Sequence, residues 1–183
     1  MQLRKSHICE TFLFLYKIFQ MNFVKADSKH ISIIEDLAKK IWPVAYAEIL
    51  SQDQLNYMLE MFYSEKPMLE QLEKGHVFYL VQNTNGDYLG FVSYELNCEP
   101  HKTKIHKIYV LPERQGLGLG KLLFEKVREE ALKNNQEAIF LNVNKYNNAQ
   151  HFYTKLNFEI VKEEVIDIGR GYIMDDYVME VKL

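Results

Sequence analysis

From residue 21 onward the apolar positions recur at regular intervals, and the interval changes from one segment to the next. A short apolar run predicts a strand over 22–26, with Asp27 or Ser28 placed to cap the helix that follows. Ile31, Ile34, Leu37, Ala38 and Ile41 recur at helical spacing, and Pro43, which has no N–H, is expected to end that helix near Trp42. A second helix is expected from Ser51, with Leu55, Met58, Leu59 and Phe62 on one face, and a third over 66–74 as far as Gly75. The pattern then becomes strand-like over 76–82 and 88–96, joined by the hairpin signal Asn85-Gly86, and again over 103–111, closed by Pro112. Leu119, Leu122, Leu123, Val127 and Ala131 form the buried stripe of a helix over 118–134. A strand over 138–143, a short helix over 148–156 and strands over 158–168 and 172–181 complete the order, with Gly169-Arg170-Gly171 as the last turn. A βαβ unit among hairpin-connected strands predicts an α/β (α+β) domain with a mixed, mostly antiparallel sheet flanked by helices.

Composition narrows the function classes. A chain of 183 residues, 48% hydrophobic and 26% charged, suits one globular core. A formal charge of −3 argues against nucleic acid as the main partner and leaves cationic small molecules open. Cys9 and Cys98 imply no disulfide framework and fit a reducing cytoplasm. The six histidines show no metal-ligand spacing with one another or with the cysteines, so no metal is expected. Arg4 and Lys5 precede an apolar run from Phe12 to Tyr16, but no small-residue cleavage site follows, and the run is too short to span a membrane. Residues 1–20 therefore read as an N-terminal extension of a domain over 21–183.

The densest chemical signal opens the βαβ unit. After the strand ending at Leu111 comes Pro112-Glu113-Arg114-Gln115-Gly116-Leu117-Gly118-Leu119-Gly120-Lys121. Alternating glycines clear side chains from a loop whose N–H groups, with those of the helix that follows, converge on one electropositive spot suited to a pyrophosphate. A Walker A loop would need glycine at Gln115 and Ser or Thr at Leu122. A dinucleotide fingerprint would need glycine at Lys121 or Leu123. What remains is Q-x-x-G-x-G, from Gln115 through Gly118 to Gly120.

That segment resembles the acetyl-CoA loop of the GNAT N-acetyltransferase superfamily, whose pattern is Q/R-x-x-G-x-G/A between a strand and a helix. Ile108-Tyr109-Val110-Leu111-Pro112-Glu113 resembles the family's fourth strand, and residues 147–158 are similar to its N-x-x-A-x-x-F-Y-x-K-x-G-F motif. Two departures stand out. Asn157 replaces the usual glycine, a residue that also tolerates a left-handed C-cap. Asn147 lies two residues before Ala149, where the family more often has three, and Tyr146 takes that place.

The resemblance implies a GNAT fold, acetyl-CoA as co-substrate and transfer of an acetyl group to a primary amine. It assigns acetyl-CoA binding to Ile108, Tyr109 and Val110, to Gln115, Gly116, Leu117, Gly118, Leu119, Gly120 and Lys121, and to Asn147 and Tyr153. Tyr153 matches the family tyrosine that protonates the departing thiolate, a task suited to a phenol with a pKa near about 10. His106, on the fourth strand, is the candidate general base. Asn142 and Asn144 share a face that either borders the cleft or is an ordinary polar strand end. The acceptor side is expected around Trp42, Tyr46, Glu48 and Tyr57 and between Arg170 and Asp176, with Asp175 and Asp176 holding a cationic amine such as a polyamine. The early helices are similar, more weakly, to those of bacterial spermidine/spermine acetyltransferases. The competing readings are a protein N-terminal or lysine acetyltransferase and a CoA-binding module without catalysis. No membrane or nucleic-acid partner is expected, and the fold allows a homodimer.

Overall fold

The computed structural model describes residues 21–183; the expected N-terminal extension lies outside them. Seven strands form one sheet in the order β1-β2-β3-β4-β5-β7-β6: β1 Asn22–Lys25, β2 Val77–Gln82, β3 Tyr88–Glu99, β4 Lys102–Val110, β5 Ala138–Asn144, β6 Glu159–Gly169 and β7 Tyr172–Lys182. All neighbours are antiparallel except β4 and β5, which the crossover helix α4 separates in sequence. Helices α1 Ile31–Ala45, α2 Gln52–Tyr63 and α3 Glu65–Glu73 cover one face; α4 Leu119–Lys133 and α5 Ala149–Lys155 cover the other. Among the described residues no helix is long and apolar enough to cross a membrane.

The two faces have separate cores. Ile34, Ile41, Phe78, Leu80 and Phe91 are sealed beneath α1–α3, while Leu123, Val127, Ile139 and Leu141 are sealed beneath α4 and α5. Each fully buried side chain of this kind contributes about 1.5–3 kcal/mol relative to exposure. The α4 stripe read from spacing is buried throughout, with Phe124 added at its flank.

Pro43 does not end its helix. α1 continues to Ala45, and Tyr46 N–H closes it on Trp42 O at 3.0 Å. The proline removes the hydrogen bond to the Lys39 carbonyl, but Lys39 lies on the solvent face, where water can serve that oxygen. The extra turn brings Trp42 and Tyr46, four residues apart, to 4.7 Å between ring centroids.

Two irregularities in the sheet position the site. The register of β3 against β4 passes from Ser93↔Lys107 to Tyr94↔Ile105, so His106 is the extra residue of a bulge. β4 and β5 pair only from Lys102↔Ala138 to Ile105↔Leu141, although both strands continue. From there to Val110 the backbone edge of β4 that faces β5 has no strand partner, and a cleft opens between them.

Candidate functional site

A cleft of about 890 Å³ runs along this gap, from the loop before α4 to the layer of α1 and α2. Its first end is built from backbone. Gly116 and Gly118 have φ of 72° and 81°, in the left-handed region that favours glycine, and together they turn the chain into α4. Gly118 is the N-cap of α4, with no side-chain capping bond and no acidic residue in the first turn. The first N–H groups of α4 thus have no side-chain cap, and Arg114 and Lys121 line the cleft beside them. Nothing lies within 4 Å of where a Cβ on Gly116 would sit, so the loop leaves open space for a ligand's phosphates. Gln115 Nε2 reaches the Val110 carbonyl at 3.4 Å, tying the loop to the open end of β4. This end fits the diphosphate and extended arm of coenzyme A, the loop and α4 taking the phosphates and the unpaired edge of β4 taking the arm.

The assigned donor-side residues line this cleft with one exception: Leu117 is 40% exposed and does not. Asn147 does line the cleft, despite its unusual spacing, and its Oδ1 accepts from Ala149 N–H at 2.8 Å, which orders the start of α5.

Tyr153 stands on α5 between Phe152 and Phe158, with ring centroids 5.2 and 5.7 Å away. Asn157, in the left-handed region with φ 66°, ends that helix: its N–H meets Thr154 O and Phe158 N–H meets Tyr153 O, both at 3.0 Å. Tyr153 is buried, lines the cleft and has no hydrogen-bond partner for its hydroxyl among the described residues. Burial, reinforced by Tyr46, raises its pKa far above the usual phenol range. The hydroxyl therefore stays protonated at neutral pH and is available as a donor.

His106 lines the cleft from the bulge and donates through Nε2 to Glu95 Oε2 at 3.0 Å. His76 stacks on it at 4.0 Å between centroids, its own Nε2 3.6 Å from the same oxygen. Burial first, then His76, Lys107 and Lys104, pushes the His106 pKa down to about 2, so the ring is neutral. With Nε2 protonated toward Glu95, Nδ1 carries the lone pair, but a pKa this low makes it a weak proton acceptor. Histidine spacing in the sequence shows none of this, because β3, β4 and the residue just before β2 bring the groups together. These three residues are the one set among the described residues whose ligand-type atoms all lie within 4.8 Å of one another. Binding a metal through both Nε2 atoms would require moving their protons to Nδ1. His76 Nδ1 is buried without a partner in either tautomer, so the 3.0 Å contact of His106 Nε2 with Glu95 is the firm observation. Hydrogen bonding is the better account of the cluster.

At the acceptor end Trp42 and Tyr46 line the cleft as expected, and Tyr46 shares a 3.0 Å hydrogen bond with Tyr109. Asp176 lines it too and is buried. Its carboxylate has no hydrogen-bond or ion-pair partner among the described residues. Burial, with Asp175 and Glu164 adding repulsion, raises its pKa to about 6. Asp175 departs from expectation. Alternation along β7 turns it away from the cleft, and it pairs with Lys145 Nζ at 2.7 Å. Tyr57 and Arg170 also lie off the cleft: the Tyr57 hydroxyl donates to Ile168 O at 2.6 Å, and the Arg170 guanidinium sits over its ring at 4.6 Å. Glu48 is not a lining residue, whereas Asn142 and Asn144 are. Phe62, Lys104, Lys107 and Met174 complete the walls and carry no local signal that sequence reading could use. Burial pushes the Lys107 pKa down to about 8, and its ammonium donates to Gln71 Oε1.

Comparison with known proteins agrees with this geometry. The family model of the acetyltransferase (GNAT) domain matches residues 46–174. The N-acetyltransferase YuaI of Bacillus subtilis (strain 168) is 29% identical over 153 residues, spanning 76% of this chain and 87% of that protein. The crystal structure of a PaiA N-acetyltransferase from Thermoplasma acidophilum, in complex with coenzyme A, aligns with a TM-score of 0.75 at 20% identity, covering 89% of this chain and 99% of that one. The spermidine/spermine N-acetyltransferase SpeG of Vibrio cholerae aligns at 0.63 with 18% identity, covering 89% and 94%.

Proposed function

The chain belongs to the GNAT family and is an acetyl-CoA-dependent N-acetyltransferase, and on that premise we propose that its acceptor is the primary amine of a small cationic molecule, a class that includes polyamines. The observation that carries this reading is Asp176, a buried carboxylate without a partner in the same cleft as the Tyr153 hydroxyl and the open edge of β4. A carboxylate left charged at neutral pH in such a place costs stability unless a cation meets it.

Acetyl-CoA supplies the acetyl group as a thioester: the amine nitrogen bonds to the carbonyl carbon, the C–S bond breaks, and amide and CoA thiol are the products. Asp176 attracts and orients the ammonium form. The proton that the amine must lose passes to solvent, because burial and the neighbouring cations that hold the His106 pKa at about 2 make that ring a poor base. Open backbone N–H groups along β4 favour negative charge on the carbonyl oxygen. Tyr153 gives a proton to sulfur. The reading sets the enzyme in the cytoplasm and assigns no role to nucleic acid or membrane; a homodimer is the assembly to look for by sedimentation.

The direct test incubates the purified chain with acetyl-CoA and a panel of small amines, following thiol release and the acetyl mass increment on the amine. Turnover of at least one cationic amine is expected. Thiol release that no added amine accelerates, or acetylation confined to peptides, would remove this reading.

A further inference from the structure

We infer that the acceptor bears a single positive charge and an apolar body of about aromatic size, so that an arylalkyl monoamine is a better substrate than a polyamine. The inference rests on the amine-acceptor reading and narrows it. Asp176 is the only carboxylate among the residues that line the cleft. Two lysines, Lys104 and Lys107, line the same stretch of β4. The Lys104 ammonium lies 5.6 Å over the Phe140 ring and has no carboxylate partner among the described residues, while Lys107 meets the neutral amide of Gln71. A first ammonium can pair with Asp176. A second, carried a few ångströms further by a methylene chain, finds no anion in the cleft and two cations on its floor. In a partly desolvated cleft such repulsion amounts to roughly ten- to hundred-fold in binding.

The opposite wall agrees. Tyr46, Leu50 and Phe62 from the helical layer face Met174 of β7 across the cleft. Trp42 backs this wall, 4.7 Å from Tyr46 and 6.3 Å from Phe62 between ring centroids. A polyamine chain gains little from such a wall, because its charges prevent burial of the methylenes between them; a phenyl ring gains fully.

The experiment compares 2-phenylethylamine with spermidine at saturating acetyl-CoA, reading thiol release and product mass, in the parent and in Lys104→Glu. The parent is expected to favour 2-phenylethylamine in kcat/KM by at least about ten-fold, and the substitution to shift the ratio toward spermidine by about the same factor. Spermidine used as well as or better than 2-phenylethylamine by the parent would overturn the inference and leave the amine-acceptor reading intact. An unchanged ratio in Lys104→Glu would overturn its electrostatic basis. Failure of both amines, with acetyl-CoA still raising the melting temperature, would remove the amine-acceptor reading and this inference with it.

Discussion

At the donor end of the cleft, consecutive residues 115–121 present backbone N–H groups. At the acceptor end, Trp42, Tyr46, His106 and Asp176 present side chains from three separate elements, α1 with its C-cap, β4 and β7. The donor end needs little from side chains beyond their absence, so the chemistry is written in contiguous sequence. The acceptor end exists only after the sheet has formed, and its selectivity lies in burial and in which charges lack partners. The contrast teaches that donor identity tolerates sequence divergence while acceptor identity can change with a few distant substitutions.

Tyr153, where the two ends meet, should show the largest effect. Tyr153→Phe keeps the ring contacts with Phe152 and Phe158 and removes the hydroxyl that we propose as the proton donor. Turnover should fall by roughly 10- to 1000-fold with acetyl-CoA affinity unchanged. Single-turnover kinetics with titration of acetyl-CoA checks it, and undiminished turnover would assign the proton to water.

Asp176→Asn should separate the ends most clearly. A carboxylate whose folded pKa lies near 6 instead of near 4 stays protonated longer in the native state. The native state is therefore favoured at low pH and loses that advantage as pH rises from about 4 to 6. The substitution should stabilise the free protein above pH 6 and raise the amine KM with little change in that for acetyl-CoA. For the parent, amine KM should rise as pH falls below about 6. Denaturant melts at pH 5 and pH 8 measure the first effect; a variant no more stable than the parent at pH 8 would contradict the buried charge.

Gly118→Val tests the other end. A β-branched residue at φ 81° strains the turn into α4 and fills the phosphate position. Acetyl-CoA at about 100 times its Kd stabilises the parent by roughly 2.7 kcal/mol, and the variant should lose most of that shift. An equal shift in both would reassign the loop. The smallest effect belongs to Asp175→Asn, which breaks a partly exposed pair with Lys145 and should cost under about 1 kcal/mol without altering amine KM.

Much of the fold is legible in the chain because its elements have clean periods: the α4 stripe, the Asn85-Gly86 turn and the last hairpin all fall where spacing puts them. Tyr153 and the glycine loop are legible for the same reason as the donor end itself. Asp175 and Asp176 show where reading fails, since adjacent strand residues face opposite ways and only the neighbours β5 and β6 decide which one meets the cleft. Glu95 and His76 were out of reach because a bulge, not a motif, brings His106 to them. Pro43 misled because a broken helical hydrogen bond matters less when its acceptor faces water.

The glycines of the donor loop are not interchangeable. At 116 the constraint is one of handedness: φ is 72° and the space around a Cβ is empty, so a residue of opposite chirality would fit there and asparagine would do nearly as well. At 120 the constraint is one of volume. A Cβ there would come within 3.1 Å of Cζ of Phe152, so even alanine must displace that ring by a few tenths of an ångström. The displaced ring lies 5.2 Å from that of Tyr153, so a methyl group added to the helix at the donor end is felt at the Tyr153 ring on the helix beside it.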